Sequence, residues 1–351
     1  MIRFLLGLIL LLTTPAFAQR PIDKLLQAEY QAGHFNGAVL AVKQGRIVSH
    51  VNKGYANLQF QVPITNDTRF PIASMTKLFT AVLALQLVEK GSLQLEDKVS
   101  VHVPDLPANC QDITIQQLLT HTSGLKNEPI QAYRAKYSTT EYVKKYVVKD
   151  EKNPAASFNY NNVDYVLLTR VLEVVSKKSF VQLVQANIFT PLKMTNSGVL
   201  SEAKIIPNLA YGYHNYTFGR GSSKDTLRND SRYISNYAGA GAIYSTVTDL
   251  YSMVQALRTN TLLSAKTTNT FLIKPQPATA YLDYARGYPT IGFYFNDKTL
   301  PEPVLERRGS IDGFNSVLLT DKEFKKIVLI LTNTDQGDLE IIGDKIYKAL
   351  E

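Results

Sequence analysis

The chain is poor in cysteine and histidine and carries no long apolar run beyond its first residues. Each shortage removes a class of answers. The single cysteine, Cys110, cannot close an internal disulfide, so stability has to come from a core. Nothing around Cys110 argues for a lowered thiol pKa, so it reads as a packed residue rather than a nucleophile. There is no His-Glu-x-x-His and no cysteine pair, and His34, His50, His102, His121 and His214 show no ligand spacing. An EF-hand loop, a Gly-x-x-x-x-Gly-Lys phosphate loop, a Gly-x-Gly-x-x-Gly fingerprint and a Gly-x-Ser-x-Gly elbow are all missing. The expected chemistry therefore needs no metal and no organic cofactor. No apolar stretch after the N-terminal one is long enough to cross a bilayer, so no stable membrane anchor is expected.

At the start of the chain, Arg3 precedes the apolar run Phe4 to Leu12, and Ala16-Phe17-Ala18 follows. A basic start, a short apolar stretch and a small-x-small site form the pattern of an export signal, with cleavage after Ala18. Residues 1–18 are set aside on that reading, and 19–351 is read as one domain. Export places the protein in the periplasm or outside the cell. A hydrophobic content of 45% with 19% charged residues is that of a globular protein with a large core. The formal charge of +8 is spread over isolated pairs such as Lys144-Lys145, Lys177-Lys178, Arg307-Arg308 and Lys325-Lys326. A dispersed excess argues against a nucleic-acid surface. It suits work near anionic envelope polymers only as a general field.

Periodicity gives an α+β reading. A helix-like segment, Ile22 to Ala32, precedes a hairpin of Gly37 to Lys43 and Arg46 to Val51 turned on Gln44-Gly45. Strands recur at Asn315 to Thr320 and Lys325 to Thr332, and Asp338 to Leu350 closes as a helix with Leu339, Ile342, Ile346 and Leu350 on one face. One antiparallel sheet from about 37–52 and 289–333 is expected, with a mainly helical region, about 75–250, inserted in it. Three helices are expected there: Met75 to Lys90 as an amphipathic helix, Val163 to Val175, and Phe180 to Phe189. The polar stretch 214–236 reads as a long loop that could wall or cover a site.

Ser-x-x-Lys occurs at Ser74, Ser123 and Ser201. Only Ser74-Met75-Thr76-Lys77 opens a long helix, which puts Lys77 one turn above Ser74 on the same face. A serine hydroxyl needs a base, and a buried lysine loses enough solvation to serve as one near neutral pH. Tyr160-Asn161-Asn162 stands at another helix entrance. Tyr160 could share the proton with Ser74 and Lys77, and Asn162 could bond Lys77 and a substrate amide. Tyr-x-Asn also occurs at Tyr55, Tyr213 and Tyr294, so spacing alone does not single out Tyr160. In Arg307-Arg308-Gly309-Ser310, a cation on an edge strand could hold a substrate carboxylate, and Gly309 would let a substrate backbone approach.

Taken together, these segments resemble the β-lactamase-related serine hydrolase family: class C β-lactamases, D-alanyl-D-alanine carboxypeptidases, penicillin-binding proteins and related esterases. Phe70 to Ala81 is similar to the family's nucleophile segment, and Leu118-Leu119-Thr120-His121-Thr122-Ser123-Gly124-Leu125 to a distinctive signature. Pro191 to Met194, Ala238 to Gly241 and Gly309 to Ser316 match in order. The resemblance implies a β-lactamase/transpeptidase-like fold, Ser74 as acylated nucleophile, Lys77 and Tyr160 as its proton partners, and Asn162 as the second-motif asparagine. It implies an oxyanion hole from the backbone N–H groups of Ser74 and Ser310, and a structural role for His121. One departure stands out, because the third motif usually begins with Lys or His and here begins with Arg307. An arginine cannot pass a proton, but it can bind a carboxylate in two-pronged fashion and favour a Tyr160 phenolate. Bringing a phenol from about 10 to about 7 takes roughly 4 kcal/mol, which two nearby cations can largely supply. The expected substrates are D-alanyl peptides, β-lactams or small esters. The alternative is a non-catalytic protein that binds wall peptides or β-lactams.

Overall fold

The computed structural model describes residues 21–153, 157–214, 216–217, 220–221, 232–276 and 279–351. The expected export signal, residues 1–18, lies outside the described residues, as does most of the stretch 214–236 expected as a lid.

Pro21–Gln31 (α1) leads into the hairpin of Gly37–Lys43 (β1) and Arg46–Lys53 (β2), turned on Gln44 and Gly45, both at positive φ. The longer helices of the middle region are Thr76–Glu89 (α2), Thr139–Tyr146 (α3), Asn162–Ser176 (α4) and Val247–Arg258 (α5). The chain then returns to strands: Tyr288–Pro289 (β3), Tyr294–Asn296 (β4), Val304–Ile311 (β5), Phe314–Thr320 (β6) and Ile327–Thr332 (β7). It closes with Leu339–Lys348 (α6).

These strands form one antiparallel sheet in the order β3-β4-β5-β6-β7-β1-β2. The two ends of the chain meet in it, Gly37 pairing with Thr332 and Val42 with Ile327. This is the α+β arrangement expected from the sequence. Strand alternation divides the side chains between two faces. Val39, Ala41, Val328 and Ile330 pack against α1 and α6, through Leu26, Ile342 and Ile346. Ala38, Leu40, Leu329 and Leu331 join the larger core with the helical region. Each such side chain contributes about 1.5–3 kcal/mol by leaving water.

One expectation changes. The helix read as amphipathic, α2, is buried on every side from Thr76 to Leu85. It runs through the middle of the helical region with α4 against it, so its polar residues face protein rather than solvent. The helix at Phe180 starts with a Ser179–Gln182 capping box and widens to a π turn over Gln185–Phe189 before Pro191. Cys110 is buried, and burial pushes its thiol pKa up, as a packing role requires. Among the described residues no helix is long and apolar enough to cross a membrane.

Candidate active site

Ser74 lies in a short 3-10 turn, Ala73–Met75, that runs straight into α2. Ala73 sits at φ +47°, a left-handed conformation that costs a residue with a Cβ. Its surroundings impose it. The Ile72 N–H donates to Ile243 O at 2.9 Å, and Ser316 Oγ donates to Ile72 O at 2.9 Å. The turn is thus pinned between the helical region and β6, with the serine at the sheet's rim.

One turn up, the Lys77 amine stands 3.2 Å from Ser74 Oγ and donates to Asn162 Oδ1 at 2.7 Å and Ala240 O at 2.8 Å. Ala240 is delivered by its neighbour: Thr80 Oγ1 donates to Gly239 O at 2.7 Å, and the Gly239 N–H to Thr169 Oγ1 at 3.1 Å. Lys77 is 0% exposed. Burial pulls its pKa down; the pull of Tyr160 opposes this, and Arg307 adds to it. A neutral amine has two N–H groups and one lone pair. Asn162 Oδ1 and Ala240 O can only accept, so they hold the two N–H groups and leave the lone pair facing Ser74. The other two Ser-x-x-Lys lysines, Lys126 and Lys204, are exposed, so burial singles out Ser74-Lys77.

Tyr160 presents its ring to Lys77, with the amine 4.9 Å from the ring centroid. Burial alone would raise its phenol pKa, but Lys77 and then Arg307, with hydrogen bonding to Lys77 and Ser74, bring it below its ordinary value. Asn162 Nδ2 donates to Glu128 Oε1 at 2.9 Å, which fixes the amide so that its oxygen faces Lys77. Asn161 caps α4 by accepting from the Val163 N–H at 2.7 Å.

Behind Tyr160, the His121 ring packs 4.7 Å from the tyrosine ring, centroid to centroid. His121 Nδ1 meets Asp164 Oδ2 at 3.1 Å and also receives the Asn161 N–H at 3.3 Å. Burial drives Asp164 well above the carboxylate range and His121 well below the imidazole range, each towards its neutral form. Ser123, set aside as a nucleophile, donates its hydroxyl to Asp164 Oδ1. The signature residue His121 thus packs behind Tyr160, in contact with Asp164 and the Asn161 N–H.

On the other side of Ser74 runs β5. A Cβ on Gly309 would meet Ile72 O at 2.3 Å and Ser74 N at 2.7 Å, so only glycine lets the strand lie against the nucleophile. Asp312 and Gly313, both at positive φ, form the two-residue loop between β5 and β6. Such a loop is closed by a hydrogen-bonded pair, here Ile311 with Phe314, and pairs alternate along the ladder. The Ser310–Asn315 pair is then non-bonded, which turns the Ser310 N–H outward, away from β6. Beyond Glu306, no strand among the described residues pairs with β5 on that outer side. Ser310 is exposed there and lines the same cleft as Ser74.

Arg307 departs from expectation. Its guanidinium does not stand open for a substrate carboxylate. Nε and Nη2 donate to the carbonyl oxygen of Ser74 itself, at 3.2 and 2.8 Å, and the residue is only 4% exposed. The strand's inward face brings Arg307 under the 3-10 turn, where that carbonyl is the nearest acceptor.

The expected residues therefore converge: Ser74, Lys77, Tyr160 and Asn162 from the helical region, Arg307, Gly309 and Ser310 from the sheet. Of these, Ser74, Tyr160, Arg307, Gly309 and Ser310 border a cleft of about 950 Å³ whose walls include Tyr237, Tyr284 and Tyr294. Sequence reasoning missed Glu128, Ala240 O and Asp164. Glu128 and Asp164 have no repeated spacing, and a backbone carbonyl carries no side-chain signal.

The fold, with a buried lysine beside a serine at its centre, is that of the β-lactamase-type serine hydrolases. The family model described as Beta-lactamase matches residues 22–350, and the chain belongs to that family. It is 29% identical to the putative penicillin-binding protein PbpX of Bacillus subtilis (strain 168) over 317 residues, 90% of this chain and 75% of that one. The crystal structure of FmtA from Staphylococcus aureus superposes with a TM-score of 0.78 at 25% identity, covering 94% of this chain and 88% of that one. D-amino acid amidase from Ochrobactrum anthropi SV3 shares the fold, with a TM-score of 0.80 at 24% identity over 94% of this chain and 97% of that one.

Proposed function

We propose that this chain is an exported serine hydrolase whose Ser74 forms an acyl-enzyme with D-alanyl peptides, β-lactams or small esters. One observation carries the reading: the Lys77 amine is buried 3.2 Å from Ser74 Oγ, with Asn162 Oδ1 and Ala240 O accepting its N–H groups and burial lowering its pKa towards the neutral form that can take the serine proton. Ser74 Oγ attacks the carbonyl carbon, and its proton passes to Lys77 with Tyr160 alongside. The proton then goes to the leaving oxygen or nitrogen as that bond to the carbonyl breaks. The N–H groups of Ser74 and Ser310 hold the oxyanion, a contribution of about 10²–10³ in rate per donor. Water then repeats the path in reverse and frees the acyl group. No metal or organic cofactor takes part.

Penicillin-binding proteins, FmtA and a D-amino acid amidase among its relatives support acyl transfer on peptides, lactams or amides. Residues 1–18 support export, and the basic surface suits anionic envelope polymers. A second reading is a binding protein without turnover, favoured by one feature: Arg307 is bonded to Ser74 O. Intact-mass spectrometry over time with a penicillin and an activated ester separates the two. Wild type is expected to carry an acyl adduct on Ser74 and to release product, and Ser74→Ala to carry none. An adduct persisting in Ser74→Ala would sink the assignment, and no adduct in wild type would leave the binding reading.

A further inference from the structure

A substrate whose leaving group bears a carboxylate, as a D-alanyl acid or a penicillin does, needs a cation with open donors beside the serine. Among the described residues, each arginine that lines the cleft already holds a partner. Arg307 gives Nε and Nη2 to Ser74 O. Arg308 gives Nε to Glu306 Oε1 at 2.9 Å and Nη2 to Tyr284 O at 3.2 Å, and its Nη1 pairs with Glu340. Arg232 pairs with Asp312 at 3.2 Å. Against these arginines the described walls set Asp312, Asp335, Asp338 and Glu340, so the acids outnumber the arginines. The remaining wall is aromatic, and Tyr284 is 66% exposed at its edge. The charge of Arg307 acts inward instead, on Lys77 and Tyr160.

We infer that the cleft selects acyl donors whose leaving group carries no carboxylate, neutral esters and amides, over the free acids of D-alanyl peptides and penicillins. This rests on the acyl-enzyme reading of Ser74 and narrows it. Strand alternation is the structural cause. It turns Arg307 under the nucleophile, with Nε and Nη2 committed to Ser74 O, and Arg308 towards Glu340 of α6, with all three of its nitrogens committed. A carboxylate entering there displaces an existing bond and meets the field of the acidic wall.

The test uses the mature protein and two esters that differ only in that charge: 3-(phenylacetoxy)benzoate and its methyl ester. In both, Ser74 Oγ bonds to the phenylacetyl carbon, the phenolic oxygen leaves with the proton Ser74 gave up, and water releases phenylacetate. The methyl ester is expected to have a kcat/KM about 3- to 10-fold above that of the acid at low salt, the gap closing as salt rises. Glu340→Gln releases Arg308 from one partner and should improve the acid relative to the ester by about 2- to 3-fold. An acid turned over as well as or better than its ester by wild type would overturn the inference while leaving the acyl-enzyme intact. Turnover surviving in Ser74→Ala would instead overturn the acyl-enzyme reading beneath it.

Discussion

On its helix side Ser74 meets side chains, the buried Lys77 backed by the half-buried Asn162 and Tyr160, while on its strand side it meets the backbone of β5 and one guanidinium. The helix side is closed, and its members hold one another: Glu128 fixes Asn162, and Asp164 with His121 supports Tyr160. The strand side opens onto the cleft and offers an outward N–H at Ser310. Proton handling needs low dielectric and fixed geometry, and both come from burial. Reception of a substrate needs an unpaired strand edge and room, and both come from its absence. The two sides should therefore fail differently when cut.

The largest effect is expected on the helix side. Lys77→Ala should lower kcat/KM by about 10⁴-fold, the upper range for loss of a positioned base. Substrate binding, read from the KM for the methyl ester, should change far less. The pH profile sharpens this. Lys77 has a pKa lowered from the usual lysine value, chiefly by burial. Below that lowered pKa the amine holds its proton and cannot accept one from Ser74, so activity falls as pH drops through it and is retained above. Lys77→Arg, which stays charged at every working pH, should be inactive across the range rather than shifted along it. An arginine variant with a normal acid limb would break the contrast between the two sides.

Next in size comes the strand side. In Gly309→Ala the new methyl carbon has no room before Ile72 O and Ser74 N, at 2.3 and 2.7 Å. Either β5 or the 3-10 turn must give way. Overpacking of this kind costs about 1–3 kcal/mol of stability, read by chemical denaturation. The oxyanion N–H of Ser310 moves with the strand, so kcat should drop by about 10- to 100-fold. The acid limb of the pH profile should stay in place, since Lys77 keeps its partners. A shifted limb would show that the two sides are not separable.

What the sequence made legible follows the same division. Ser74, Lys77, Tyr160 and Asn162 could be proposed because their side chains do the work and their spacing places them at helix entrances. The sheet was legible from the apolar, strand-forming runs of 37–43, 315–320 and 327–332, which are buried along most of their length. Arg307 was located correctly and its pull on Tyr160 anticipated, but its bond to Ser74 O was not, because alternation fixes which face a residue takes and not which acceptor it finds there. Ala240 O and the outward N–H of Ser310 are backbone groups, set by chain path rather than residue type. The all-round burial of α2 was missed for a related reason: Thr76, Lys77 and Thr80 read as a polar face, yet each has a partner inside the protein. Glu128 and Asp164 reach the site from loop and helix positions that no spacing links to Ser74.

The smallest effect, and the finest probe of the closed side, concerns Asp164. Burial drives its carboxyl towards the neutral form beside His121, behind Tyr160 and within the field of Lys77 and Lys149. Asn is the near-isostere of a protonated carboxyl. Asp164→Asn should thus leave kcat/KM within about 3-fold and the acid limb unmoved, because no charge is removed. Were the carboxyl ionised, the same change would delete a negative charge that holds the Lys77 proton, and the limb would move to lower pH. Stability gives an independent sign. A carboxyl whose folded pKa lies above its unfolded one stabilises the protein fully below the unfolded value, and that contribution is lost as pH rises through the folded value. Wild type should therefore lose stability with rising pH over that window relative to Asp164→Asn, whose amide does not titrate. The opposite slope would place a carboxylate behind Tyr160 and require Lys77 to be lowered against it.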